Sequence, residues 1–318
     1  MQVRKAVITA AGRGVRQYPA SDTVQKAMLP LVDRDGLTKP LIQIIAEEAL
    51  ESGIEEICIV TAPGDEEIYR KYFRAYGENL LVAFKGVNWA IEQSQRLREL
   101  EKRLRFVVQP EPEGYGHAVW CARDFVADEP FLLMLGDHLY ISGEQRRCAH
   151  QIIEIAVSQG CAVFAVQATR EHLISCYGTL SGKRVPGMPH VYEVEHIIEK
   201  PTPTLAETHL QVPGLRVGYY LCFFGMHVLT PTIFGILEEH ISKKSRVDEE
   251  IQLTPAQHEL AQREKVLALE TKGTRYDIGV RYGALRAQIA LALSGADRDL
   301  VLAELLELVL QRQMQPLQ

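Results

Sequence analysis

The chain has 318 residues, 47% of them hydrophobic, enough to bury the core of one α/β domain or of one domain with an appendage. Its net charge of −6 and its lack of a Lys/Arg-rich run argue against a nucleic-acid partner, although local basic groups can still bind phosphate. Six scattered cysteines (Cys58, Cys121, Cys148, Cys161, Cys176, Cys222) show neither Cys-x-x-Cys nor metal-ligand spacing and read as mostly core residues kept reduced. No signal peptide precedes residue 6 and no apolar run reaches membrane-spanning length, so a soluble, cytoplasmic protein with no membrane partner is expected.

The first apolar run, Lys5-Ala6-Val7-Ile8-Thr9, ends abruptly in Ala10-Ala11-Gly12-Arg13-Gly14-Val15-Arg16. It reads as a buried strand opening into a tight loop whose backbone amides can meet an anion, with Arg13, Arg16 and Lys26 supplying charge. A helix from Lys39 to Leu50 is stopped by Gly53, and Ile54 to Ala62 forms a second strand. Asp65 to Tyr76 is an amphipathic helix with Ile68, Tyr69, Tyr72 and Phe73 on one side. A polar helix over 88–103, a strand over 105–109, a helix over 116–126 and a buried strand over 131–135 follow. Alternating strands and helices predict crossovers and a parallel sheet, in which ligands bind beyond the carboxyl ends of the strands. Gly12–Arg16, Gln109–Gly116 and Asp137 all fall at such ends.

A helix over 144–158 and a strand over 161–168 continue the pattern, which then changes. Strand-like segments at 177–181, 190–199 and 217–226, separated by Pro- and Gly-rich loops, predict an inserted antiparallel region forming a second wall over the sheet. Helices over 231–241 and 252–264, a strand over 265–270 and a loop over 272–279 come next. Two helices close the chain, about 280–293 and 297–311, and the second is apolar enough to need either the core or a second subunit.

The glycine loop lacks the Gly-x4-Gly-Lys-Ser/Thr of a P-loop and the third glycine of a dinucleotide fingerprint. Its residues alone also suit a plain turn with solvated arginines. Asp137, directly after five apolar residues, can cap a turn or hold a hard cation. The amide of Gln109 offers the donor and acceptor that a uracil or thymine edge needs, but equally suits a solvated loop. Glu199-Lys200 closes a strand as a solvated edge pair would.

Taken in order, Ala11-Gly12-x-Gly14-x-Arg16 … Lys26-x-Met28-Leu29-Pro30, Gln109 eight residues before His117, Gly136-Asp137, Glu199-Lys200-Pro201, Glu250-Ile251-Gln252-Leu253-Thr254 and Tyr276-Asp277-Ile278-Gly279 resemble the sugar-1-phosphate nucleotidyltransferases. Among these the chain is most similar to the bacterial UTP–glucose-1-phosphate uridylyltransferases. The resemblance covers about residues 5 to 290 and implies a three-layer, Rossmann-like α/β nucleotidyltransferase domain with a mixed sheet, a sugar-binding insertion (about 170–230) and C-terminal helices, of which 291–318 is an oligomer-contact candidate. It implies transfer of a uridylyl group from UTP to glucose 1-phosphate without a protein nucleophile. Arg16, Lys26, Asp137 and Lys200 would carry the catalysis. Ala10, Ala11, Gly12, Gly14, Gln109 and Gly114 would hold the nucleotide, and Gly178, Glu199, Lys200 and Gly218 the sugar. Asp137 and Asp277 would hold Mg2+. Family members are commonly dimers or tetramers, so a homo-oligomer is implied.

Several positions depart from the family pattern. Val15 stands for a threonine, Gln17 and Tyr18 for Met/Leu and Leu, Gln25 for a proline, and Asp33–Thr38 carries extra residues. Glu113 occupies a position where lysine is frequent in uridylyltransferases and acidic residues occur in thymidylyltransferases. The alternatives are therefore a dTTP- or other-hexose-specific enzyme, or a non-catalytic regulatory paralogue.

Overall fold

The computed structural model describes residues 1–12, 14, 24–243 and 250–313. The first half contains β1 (Lys5–Thr9), β2 (Pro30–Val32), β3 (Thr38–Pro40), α1 (Leu41–Leu50), β4 (Glu56–Thr61), α2 (Asp65–Ala83), α3 (Asn88–Arg103), β5 (Leu104–Val108), α4 (Tyr115–Cys121), α5 (Arg123–Val126), β6 (Phe131–Leu135) and β7 (His138–Ser142). Then follow α6 (Cys148–Gln159), β8 (Ala162–Arg170), β9 (Thr179–Arg184), β10 (Val191–Ile198), α7 (Pro203–His209), β11 (Tyr219–Leu229), α8 (Thr232–Ser242), α9 (Leu253–Arg263), β12 (Val266–Glu270), β13 (Gly273–Asp277), α10 (Gly283–Ala292) and α11 (Arg298–Gln313).

Nine strands form one sheet in the order β5-β4-β1-β6-β11-β8-β12-β10-β9. The β5-β4-β1-β6 half is parallel, as the βαβ alternation requires, whereas β11 runs antiparallel to β6 and β8. Because side chains alternate across a strand, β1 feeds two cores. Ala6 and Ile8 pack with Ile42 and Ile45 of α1, Tyr69 and Phe73 of α2 and Ile152 of α6. Val7 packs on the other face with Val119 of α4, Ile233 and Leu237 of α8 and Leu260 of α9. Helices thus cover both faces, and the mixed three-layer architecture is as expected.

The predicted second wall is not a separate layer. Strands β9, β10 and β11 join the same sheet, β10 pairing with both β12 and β9, so the antiparallel segments widen the sheet. The predicted loop over 272–279 is instead largely strand β13, which pairs antiparallel with β7. The helix beginning at Asp65 runs on to Ala83, and its buried stripe is Tyr69, Phe73, Gly77 and Leu80, while Ile68 is exposed. Gly77 sits inside it at the close approach to α3, where a Cβ would lie 3.3 Å from Ser94 Oγ. The helix over 116–126 breaks at Ala122 into α4 and α5.

The extra residues 33–38 form the turn between β2 and β3. Lys39, almost fully buried, pairs there with Asp33 (2.7 Å), Asp35 (2.7 Å) and Glu47 (2.9 Å), and the Arg34 carbonyl accepts from the Ala296 amide (2.9 Å). The insertion therefore docks on α1 and on the α10–α11 junction. Cys58, Cys148, Cys161 and Cys222 are buried, Cys121 is half-buried, Cys176 is exposed, and all six are free thiols. Leu300, Leu306, Leu308, Val309 and Leu310 of α11 are exposed, so this helix is not core-packed within the described chain. No helix among the described residues is long and apolar enough to cross a membrane.

Candidate active site

Three backbone hydrogen bonds carry the chain off the sheet at one end. The Ala10 amide donates to Val60 O (2.7 Å), Gln109 to Thr61 O (2.9 Å) and Gly136 to Thr9 O (2.9 Å). The carboxyl ends of β1, β5 and β6 therefore open into one cleft of about 400 Å³, lined by Ala10, Ala11, Gly12, Gln109, Gly114 and Asp137 together with Lys26 and Tyr115. Gly136 permits this convergence: a Cβ on it would sit 2.7 Å from the Thr9 carbonyl oxygen and 3.0 Å from Ala10 Cβ.

Lys26 starts a 3-10 turn, Lys26–Met28, anchored by the buried Ala27. The preceding Gln25 donates from Nε2 to Asp65 Oδ1 (2.5 Å) at the start of α2, so the side chain that replaces the family's proline ties this segment down. Lys26 Nζ lies 3.5 Å from Asp137 Oδ2. Gly14 is buried with φ +65°, while Arg13, Arg16, the rest of 15–23 and 244–249 lie outside the described residues.

Asp137 and Asp277, 140 positions apart, meet through the β7–β13 ladder, in which Asp277 is paired with His138 and the Ile278 amide donates to Asp137 O (2.9 Å). One donor atom each from Asp137, His138 and Asp277 lies within 4.8 Å of the others. Asp277 Oδ1 accepts from the Gly279 amide (2.7 Å), and His138 Nδ1 lies 2.8 Å from Asp137 Oδ1. Two converging carboxylates suit a hard divalent cation such as Mg2+, which takes one or two carboxylates plus substrate phosphates and water.

Gln109 is buried, and its Nε2 donates to Gly114 O (3.0 Å) and lies 3.3 Å from His117 Nδ1. That commits the amide nitrogen and leaves Oε1 as the acceptor a base N–H would meet. Gly114, at φ +111°, leads into α4 against the Ile251 backbone.

The Glu199 wall is tied to the Gly114–Gly116 rim of the cleft through residues 251–254: Thr254 meets Glu199, and the Ile251 carbonyl accepts from the Gly116 amide (2.8 Å). Glu199 Oε2 accepts from Thr254 Oγ1 (2.6 Å), and Lys200 Nζ lies 3.5 Å from Glu199 Oε1. Gly178 lies against both Phe223 and Glu199: a Cβ there would be 2.5 Å from the Phe223 ring and 3.0 Å from Glu199 Oε2. Lys200 holds φ +43°, a strained value for a side-chain-bearing residue, and its amide donates to Tyr177 O (3.2 Å). Burial, and after it the charges of Asp137 and Glu199, push the Tyr115 phenol well above its ordinary pKa. The Arg275 guanidinium, two residues before Asp277, stacks 3.7 Å from the centre of the Tyr177 ring.

Gly218 is not brought to this wall. It stands at the outer end of β11, where its carbonyl accepts from the Glu171 amide (3.0 Å). Phe223, the residue beside Gly178, is five positions further on, roughly 16 Å along an extended strand. The glycine of β11 that does approach the cleft is Gly225, at φ +82°, whose carbonyl accepts from Tyr140 Oη (2.6 Å) beside Leu135 and His138. Sequence reasoning also passed over His138, Tyr115, Thr254 and Arg275. Thr254 and Tyr115 stood inside quoted motifs, whereas His138 and Arg275 emerge only with the β7–β13 pairing.

Residues 5–290 match the nucleotidyl transferase family model, and the chain belongs to that family. It is 35% identical over 312 residues to the UTP–glucose-1-phosphate uridylyltransferase YngB of Bacillus subtilis (strain 168), covering 98% of this chain and 97% of the relative. Among solved structures, a UDP-glucose pyrophosphorylase complexed with UDP-glucose superposes with TM-score 0.73 at 31% identity, covering 91% of this chain and 98% of that one. The UTP-bound UGPase from Acinetobacter baumannii does so with TM-score 0.76 at 27% identity, covering 96% and 99%.

Proposed function

We propose that this chain transfers a uridylyl group from UTP to glucose 1-phosphate, giving UDP-glucose and pyrophosphate. The observation that carries the reading is the 35% identity, over nearly the whole of both chains, to a relative named for that reaction. A cleft with cationic, acidic and amide groups at the strand ends supports it further.

In this reading an oxygen of the sugar phosphate attacks the α-phosphorus of UTP in line, and the bond from that phosphorus to the bridging oxygen of pyrophosphate breaks. With no protein nucleophile, the chain's work is positioning and charge neutralisation. Lys26 faces the triphosphate from the first-strand side, and Ala10, Ala11, Gly12 and Gly14 shape the path of its phosphates. Gln109, with its amide nitrogen held by Gly114, offers Oε1 to the N3–H of uracil, an arrangement that disfavours cytosine, whose N3 is an acceptor. Glu199, fixed by Thr254, accepts from sugar hydroxyls, and Lys200 pairs with the attacking phosphate. Asp137 and Asp277 would hold Mg2+, which when bound neutralises phosphate charge that would otherwise repel the incoming anion.

Residues 1–290 form the catalytic unit in this account, with the sugar wall drawn from about 170–230 together with Thr254 of α9. The exposed leucines of α11 support self-association through that helix, and free cysteines with no membrane-crossing helix among the described residues support a cytoplasmic location. Pyrophosphate release measured over UTP, dTTP, CTP and ATP, each with several hexose 1-phosphates, tests the reaction. UTP with glucose 1-phosphate should be turned over fastest. A clear preference for dTTP or another hexose would replace the substrate assignment, and no release with any pair would remove the enzymatic one.

A further inference from the structure

The carboxylate pair has a third neighbour whose chemistry differs. His138 begins β7, is buried, and is the residue directly opposite Asp277 in the β7–β13 ladder. Directly opposed residues project to the same face of an antiparallel pair, so imidazole and carboxylate are delivered together. Its Nδ1 lies 2.8 Å from Asp137 Oδ1, and the three donor atoms fall within 4.8 Å of one another. Adjacent ligands of an octahedral ion with bonds of about 2.1 Å are separated by roughly 2.9 Å, and opposite ones by roughly 4.2 Å. The 2.8 Å pair matches one edge of such an octahedron, and the Asp277 donor, within 4.8 Å of both, would close in when an ion binds.

Space is also kept for the ring. At Gly225, where β11 shifts register between Phe223 and His227, a Cβ would lie 3.3 Å from His138 Cδ2. The other Asp137 oxygen, Oδ2, faces Lys26. The carboxylate therefore has one oxygen toward the imidazole and one toward the phosphate-binding lysine.

We infer that His138 is a direct third ligand of the divalent cation, through Nδ1 with the ring proton on Nε2, so that the site has one nitrogen and two carboxylate donors. The inference rests on the proposed Asp137–Asp277 cation site and deepens it. A nitrogen donor favours Mn2+ and later first-row ions over Mg2+, because imidazole adds little for a hard, oxygen-seeking ion. The site should accordingly take Mn2+ more tightly than Mg2+, and His138 should account for most of that difference.

The test uses the full chain with MnCl2, with and without UTP, and reads binding from the EPR signal of free Mn2+ and ligation from pulsed EPR. The wild-type protein should show the nitrogen coupling of a directly coordinated imidazole. His138→Asn should lose that coupling and bind Mn2+ at least ~10-fold more weakly, with a smaller change for competing Mg2+. If Mn2+ binds wild type at a site lost in Asp137→Asn yet no nitrogen coupling appears, His138 is not a ligand and the carboxylate site stands. If Asp137→Asn binds Mn2+ as wild type does, the carboxylate reading fails, and the role of His138 with it.

Discussion

Replacing Gly136 by alanine tests whether the cleft depends on the close meeting of β1 and β6. The added Cβ would stand 2.7 Å from the Thr9 carbonyl oxygen, roughly 0.6 Å inside the closest ordinary C···O approach of about 3.3 Å. That neighbour is backbone and cannot rotate away, and it already accepts the Gly136 amide at 2.9 Å. Relief requires the strand end to move, which displaces Asp137 from Lys26 and Asp277. Overpacking of this kind costs about 1–3 kcal/mol, and a misplacement approaching 1 Å at the chemistry costs on the order of 100-fold in rate. The expected result is a fall in kcat/KM of about 30- to 100-fold in a pyrophosphate-release assay, with melting lowered by a few degrees. Gly235→Ala in α8, where a Cβ meets nothing within 4 Å, is the control and should be neutral or slightly stabilising. A Gly136→Ala enzyme with parental kcat/KM would refute the argument.

Lys200→Ala should abolish detectable glucose 1-phosphate binding in calorimetry while UTP binding is largely kept; the reverse pattern would reassign the lysine to the triphosphate. Thr254→Val removes the 2.6 Å hydrogen bond that fixes Glu199, and should raise the KM for glucose 1-phosphate about 10-fold with the KM for UTP unchanged. His227 is buried, its ring set edge-on against Phe164 and Phe223, and burial pushes its pKa down to about 3. The unfolded chain takes up this proton near pH 6.5 and the folded chain does not. Stability is therefore full above pH 6.5 and should fall by roughly 1 kcal/mol per pH unit from there toward pH 3. Urea unfolding of His227→Phe between pH 4 and 7 should show a flatter acid limb than the parent, and equal slopes would contradict the assignment.

Local pattern carried the parallel half of the fold. The run Phe131–Leu135 and the polar helix Asn88–Arg103 lie where their spacing predicts. Gly12, Gln109 and Asp137, which the strand-end rule puts together, line one cleft. What stayed hidden were pairings between distant segments. Strand β13 looked like a loop because Gly273, Thr274 and Arg275 carry no alternation, and its partner β7 supplies the order. Gly218 is singled out by local resemblance alone, whereas the register of β11 puts a different glycine, Gly225, beside His138. The insertion at 33–38 had no motif at all, and its reason lies in the buried Lys39 and in Ala296, 258 positions from Thr38.

The central claim, that one cleft gathers both substrates around Asp137, Asp277 and the Glu199–Lys200 wall, is most directly tested by a crystal structure with UDP-glucose and Mn2+. An anomalous peak between Asp137 and Asp277, the uracil against Gln109 and the glucose against Gly178 and Glu199 are the predicted result. A nucleotide seated away from the β1–β6 strand ends, or a metal peak that touches neither carboxylate, would contradict it.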